Sequence, residues 1–395
     1  MRISSEELIH FCRQLIGIKS LPGQEGQAAA LLREKMLELG FDEVRTDRLG
    51  NVVGRLMGKA GGPVLLLDGH LDTSPVTDAE AWQFDPFGGE LEQGRIYGRG
   101  ATDMKGALSA MLFAAAQLKR AGIQPEGDIY VSGTVCGGIT GGAALKEVMD
   151  AVRPDFVVIG KATGLNLHVG QRGRAELKAV ASGQAACFAG HGQETNAISL
   201  MLPFLDKLSL TIPMEHDQLG RNTCTVTGII SSPYPGSSLI PERCTVTLDR
   251  RLLAGEEEAE VLRAYRELDR RIQVDIAEQS LACYTGAVIS ERSFYPAWLM
   301  EVDHPLVELS MRALHQQGIA ARISAYLGCT NGSYSAGIAQ VPTVGFGPSW
   351  ERLTRAPDEY IEIEQLIKAN QGYYAIARAW ALQTPSDHKR SSALI

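Results

Sequence analysis

Leu8, Phe11, Cys12 and Leu15 recur at helical spacing and predict an amphipathic helix at the start of the chain. Residues 1–60 read as helix, helix, then a strand pair around Asn51. After Pro63 the run Leu65, Leu66, Leu67 is short and wholly apolar, the pattern of a buried parallel strand. KGALSAMLFAAAQL (105–118) predicts a buried helix that stops at Gly122. A second apolar strand (128–135) runs into a glycine-rich loop and a helix over 143–152, and a third strand covers 156–159. Strands alternating with helices predict an α/β layer around a mixed, mostly parallel sheet.

The pattern changes in the middle. Strand-like alternation at 175–180, 224–230 and 244–250 is accompanied by helical stretches at 196–208 and 256–271. That mixture predicts a small α+β unit inserted into the first. From Arg292 the α/β style resumes, with a helix near 305–317, strands at 322–326 and 343–346, and a closing helix over 363–383. The expected division is therefore 1–174 with 291–385 as one domain, 175–290 as an inserted lid, and 386–395 as a polar tail.

Composition narrows the function classes. Hydrophobic residues make up 45% of the 395 residues, enough for sizeable cores. A net charge of −8 gives no electrostatic footprint for nucleic acid or an anionic membrane. No run approaches the ~18 apolar residues of a membrane span, and the N-terminus lacks a signal-peptide core. Seven scattered cysteines without a CxxC pair suit free thiols in a reducing cytoplasm.

Ligands of α/β sheets gather where strands end at their carboxyl side. His70 and Asp72 follow the strand at 65–67. A His-x-Asp there suits a metal site, the imidazole ligating and the carboxylate orienting it, although it equally suits a structural hydrogen-bonded pair. Asp103 precedes the helix at 105–118, where it reads as either an N-cap or a ligand.

GHLDTSPV, YGRGATDMKGAL, SGTVCGGITGG, VVIGKATGLNLHVGQRGRAEL, NAISLM, LDRRL and TVGFGPSWERLTRAPDEY, taken in order, resemble successive motifs of the two-zinc aminoacylase and peptidase family. That family includes acetylornithine deacetylase, succinyl-diaminopimelate desuccinylase and the glutamate carboxypeptidases. QRGRAEL, DRRL and TNG look most like its hydrolases linked to selenium and purine metabolism. The resemblance spans residues 8–381 and implies a zinc-peptidase catalytic domain with an inserted lid that forms a homodimer. It also implies amide cleavage of small N-acyl or carbamoyl amino-acid-like compounds.

Mapped position by position, the implied chemistry breaks. One zinc of the family takes a histidine matching His70, a bridging aspartate matching Asp103, and an acid whose place in GKAT is held by Lys161. The other takes the bridging aspartate, the second Glu of a Glu-Glu pair, and a late histidine. Gly137 and Gly138 stand for the Glu pair, the first of which is the general base, and Arg355 stands for the histidine. Asp72 keeps the role of orienter. In the lid, Cys187 replaces a histidine that helps bind the substrate, with His191 four residues on as a possible substitute. Three negative charges are lost and two positive ones gained, close to the four supplied by two zinc ions. An ion pair such as Asp103 with Lys161 would hold the metal-free pocket closed.

Arg172, Arg174 and Asn331 are candidate substrate contacts, against the plainer reading of solvated arginines. Cys136 is a candidate nucleophile against an inert buried thiol. Three readings stay open: a family member that has lost zinc hydrolysis or performs it very weakly, with no tightly bound cofactor and zinc held at most weakly; a non-catalytic binding or dimerising protein using the old cleft; and a metal-free enzyme using Asp103, Lys161 and Cys136. Changing Gly137, Gly138 and Lys161 to Glu and Arg355 to His together is expected to restore the ligand set, and any one change alone is expected to fail.

Overall fold

The computed structural model describes residues 4–184, 186–187, 195–236 and 239–383. His191, the side chain of Cys187 and the 386–395 tail lie outside the described residues. The first helix, Ser5–Ile16, starts in a capping box: Ser4 Oγ accepts from Glu7 N at 3.1 Å, and Glu7 Oε2 accepts from Ser4 N at 3.2 Å. It buries Leu8, Phe11, Cys12 and Leu15, the face that their spacing predicts.

The main sheet has four parallel strands at its centre, in the order Ile129–Thr134, Leu65–His70, Phe156–Gly160, Thr343–Phe346. Antiparallel pairs flank it. The hairpin Glu43–Thr46/Val52–Leu56 extends one side, and Leu167–Gln171 pairs antiparallel with Thr343–Phe346 and Trp298–Leu299 on the other. Every residue of Leu65–His70 is buried, because helices cover both faces of this layer. One of those helices, Gly106–Arg120, buries twelve of its fifteen residues and packs on the closing helix Ile363–Ala381. Parallel strands share one carboxyl edge, so the segments after His70, Thr134, Gly160 and Phe346 must meet there. This is how positions 70–72, 136–138, 161 and 349–355 come together from distant stretches of sequence.

Two residues past Gln171 the chain enters a second, antiparallel sheet. Its order is Thr223–Ser232, Arg243–Leu252, Gly173–Ser182, Ile272–Ile276. Helices Ala197–Ser209 and Glu258–Leu268 lie against it, and Leu177, Met201, Phe204, Val246, Leu248 and Val274 form a core separate from that of the main layer. The chain returns through Phe294–Tyr295, paired to Gly173–Ser182, into Trp298–Leu299 of the main sheet. The hairpin Glu278–Ala282/Val288–Arg292 behaves differently from its neighbours. Its tip packs back on the first unit, with Cys283 and Ile289 among Leu49, Val135 and Cys136, and the Tyr284 hydroxyl donates to the Gly50 carbonyl at 3.1 Å. No described helix is long and apolar enough to cross a membrane.

Candidate functional site

His70 ends its strand with its side chain buried. Its Nδ1 lies 2.9 Å from the Asp72 carbonyl oxygen and 3.3 Å from Asp72 Oδ1, and its Nε2 lies 3.3 Å from Asp103 Oδ1. Burial opposes the charged imidazolium, but Asp72 and Asp103 outweigh it and raise the imidazole to about 10. Lys161 Nζ approaches the same Asp103 oxygen at 2.9 Å, with the two side chains 11% and 10% exposed. Burial alone would raise the Asp103 carboxyl, yet Lys161 and His70 hold it well below the ordinary carboxylate range. Asp72 is fixed from the opposite side, accepting from Gly138 N at 3.0 and 3.2 Å.

The turn that carries Asp103 is held by a residue that the sequence reading missed. Glu359 is buried, and its Oε1 accepts from the backbone N of Gly100, Thr102 and Asp103 at 3.1, 2.9 and 3.1 Å. Its other oxygen pairs with Arg99 Nη1 at 2.6 Å. Burial pushes the Glu359 carboxyl up to about 7 in spite of Arg99. Asp68 was missed as well. It accepts from Ser132 Oγ at 2.6 Å and Asn331 Nδ2 at 2.8 Å, and burial raises it to about 6. An acid inside LLLDGH, an otherwise apolar strand, was the signal available for it. Asn331→Ala would leave the Asp68 carboxylate one donor short, so a loss of about 1–3 kcal/mol is expected in urea unfolding. A midpoint equal to that of the wild type would show that this contact contributes nothing.

Two cavities open on this centre. One, of about 290 Å³, is lined by residues that include His70, Asp72, Asp103, Gly138 and Arg355. The other, of about 400 Å³, includes Asp103, Gly137, Gly138, Lys161, Arg174, Asp249, Arg251, Glu351 and Arg355. Arg174 faces this second cavity but is engaged by Asp249 Oδ2 at 2.7 Å and Glu176 Oε2 at 3.1 Å. Arg172 is turned elsewhere, donating to the carbonyls of Leu327 at 2.9 Å and Arg221 at 2.8 Å. Asn331 lies behind Gly137 rather than in the cavity lining, its Oδ1 buried without a hydrogen-bond partner. Cys136 is buried, its Sγ 3.5 Å from Glu25 Oε1, and burial pushes its thiol up.

Among the described residues, no group of three or more His, Cys, Asp or Glu side chains is placed to hold a metal ion. Side chains at 137 and 138 do not fit the backbone as it stands. A Cβ on Gly137 would lie 2.5 Å from His70 Cβ, and one on Gly138 would lie 2.7 Å from Asp72 Oδ2. The first obstacle is the root of a buried side chain, which cannot swing away.

A parallel-centred layer with a histidine and two aspartates at its carboxyl edge, joined to an antiparallel insert, is the architecture of the two-zinc peptidases. The family described as "Peptidase family M20/M25/M40" matches residues 66–379, and the chain belongs to it, a family of metal-dependent hydrolases. The chain is similar to the Escherichia coli K12 protein YgeY, at 30% identity over 95% of this chain and 94% of that one. It is 29% identical to a succinyl-diaminopimelate desuccinylase of Cereibacter sphaeroides, over 89% of this chain and 93% of that one. Aminopeptidase PepT of Bacillus cereus shares the fold with a TM-score of 0.72 at 19% identity, covering 96% and 99% of the two chains. YxeP of Bacillus subtilis, a dinuclear metal-binding M20 peptidase, shares it at 0.69 and 14% identity, covering 95% and 97%.

Proposed function

We propose that this M20 protein keeps the family cleft as a pocket for a small ligand resembling an N-acyl amino acid and does not carry out two-zinc hydrolysis. The observation that carries this reading is Lys161 Nζ at 2.9 Å from Asp103 Oδ1. An ammonium there supplies a fixed positive charge beside Asp103. The remaining donors, His70 and Asp103, fall short of the three protein ligands of a catalytic zinc. Gly137 offers no side chain to take a proton from water. The residual metal positions are thus His70 and Asp103, with Asp72 as orienter. Of the candidate contacts, Arg174 lines the second cavity and is the ligand contact in this reading, whereas Arg172 and Asn331 line neither cavity.

The metal-free enzyme built on Asp103, Lys161 and Cys136 is less well supported, because the Cys136 thiol is held neutral beside Glu25 and does not line either cavity. In our reading the boundaries 1–174 with 291–385, and 175–290, divide catalytic-type and lid domains in a cytoplasmic homodimer. The lid edge strand Thr223–Ser232 supports the dimer. Among the described residues it pairs on one side only, and Val226, Ile229 and Ile230 are exposed.

The test is metal analysis after dialysis against metal-free buffer, beside an assay on a panel of N-acyl amino acids. Far less than one zinc per chain and background amide hydrolysis are expected. An unactivated water has a pKa near 15.7 rather than about 7, and losing a positioned general base alone costs about 10²–10⁴-fold. Zinc-stimulated hydrolysis that a chelator abolishes would refute the reading.

A further inference from the structure

We propose that Arg355 and Lys161 form an oxyanion receptor in the 400 Å³ cavity, taking a carboxylate or a phosphate at the positions where relatives would hold metal cations. Four cations, Lys161, Arg174, Arg251 and Arg355, line that cavity with three carboxylates, Asp103, Asp249 and Glu351, and Glu176 reaches Arg174 from outside the lining. The carboxylates are already engaged. Asp249 clamps Arg174 Nε at 2.7 Å and Arg251 Nε at 3.0 Å. Glu351 accepts from Gly328 N at 2.8 Å and Leu327 N at 3.3 Å, and Asp103 is shared between Lys161 and His70.

One of these cations is unpaired. Among the described residues, the Arg355 guanidinium has no hydrogen bond or ion pair, although it lines both cavities. Lys161 has one such partner, Asp103, and its ammonium carries three donors. The base of Arg355 is fixed even though its tip is unpaired. Its backbone sits at φ 66°, and its carbonyl accepts from Arg99 Nη2 at 3.2 Å, while Arg99 itself is anchored by Glu359. A held arginine with a vacant planar fork is suited to bidentate recognition of an oxyanion. The Lys161 ammonium, lining the same cavity, adds a point charge.

This inference rests on the reading that the cleft holds no metal, and the experiment separates the two. Malonate and inorganic phosphate are titrated calorimetrically, at low ionic strength, into metal-free wild-type protein, into Arg355→Gln, and into Arg312→Gln, which removes an exposed cation elsewhere. One anion per chain is expected to bind, at least tenfold more weakly to Arg355→Gln, with Arg312→Gln matching the wild type. Tighter malonate binding identifies a carboxylate ligand and tighter phosphate binding a phosphate; either result supports the site. Equal affinity in wild type and Arg355→Gln, or no saturable binding of either anion, overturns it. Zinc-stimulated hydrolysis would instead overturn the underlying reading, and with it the receptor.

Discussion

Lys161→Met is expected to lower the stability of the fold by about 3 kcal/mol, read as a fall in the urea midpoint at unchanged slope. Breaking a buried ion pair by removing one partner costs about 3–5 kcal/mol, since the other charge is left without compensation. The lower end applies here because His70 Nε2 still faces Asp103 Oδ1 at 3.3 Å. Adding Asp103→Asn should recover part of the loss, as deleting both members of such a pair is often nearly neutral. A Lys161→Met midpoint within error of the wild type would mean that the contact at 2.9 Å contributes nothing, and that the proposed cation substitute is only a neighbour.

The same cluster sets the pH dependence. The Asp103 carboxyl is depressed by Lys161 and His70, so its contribution is present above the unfolded value of about 3.9 and is lost as pH falls through the folded one. The His70 imidazole is raised to about 10, so its contribution is complete below about 6.5 and is lost as pH rises through about 10. Stability from these two groups should therefore level off between about pH 4 and 6.5 and decline on both sides. In Lys161→Met the acid-side decline should still begin near the unfolded value but be smaller and end at higher pH, because Asp103 has lost a cation that favours its charged form. Unfolding curves collected across pH 3–10 would show the shift, and superposable acid limbs for the two proteins would exclude it.

What the sequence made legible was mainly periodicity. The all-apolar strand at 65–67 and the helix at 105–118 have no polar face, and such segments can only lie inside a layered fold. Once the central strands are parallel, the grouping of His70, Asp103, Lys161 and Arg355 at one edge follows from topology. Free space was not legible. Residue letters at 137 and 138 give no sign that a Cβ would meet His70 or Asp72, because the obstacle comes from a strand some 65 residues away. The engagement of Arg172 by two carbonyls, one of them in the short strand Gly220–Arg221, was equally hidden, since a backbone acceptor has no residue signature. In the sequence Glu359 is one more acid in a polar stretch. Its role in holding the Gly100–Asp103 turn depends on a contact about 260 residues distant in sequence, which periodicity cannot report. The hairpin 278–292 alternates like the insert strands before it, and only packing by Cys283 and Tyr284 turns it back to the first unit.

Those steric facts decide how a metal site could be recovered. Lys161→Glu with Arg355→His is expected to bind one zinc ion per chain, whereas adding Gly137→Glu and Gly138→Glu is expected to give no second ion. His70 Nε2 and the ammonium of Lys161 converge on one oxygen of Asp103, so a carboxylate introduced at 161 completes a set of three protein ligands without moving the backbone. Asp72 already orients His70 through Nδ1, the support that a ligating imidazole requires. Replacing Arg355 removes the unpaired cation that lines both cavities. Without metal, the double variant holds facing carboxylates and should be less stable than the wild type. Zinc at a hundredfold excess over its dissociation constant should return about 2.7 kcal/mol, reversibly on chelation. The two glutamates in the glycine loop act in the opposite direction, forcing contacts of 2.5 and 2.7 Å that should cost about 1–3 kcal/mol each by overpacking. Metal analysis and thermal melts with and without zinc would follow both variants. Two zinc ions held by the fourfold variant would show that the 136–141 loop yields easily, and none held by the double variant would mean that the three side chains do not form a chelate.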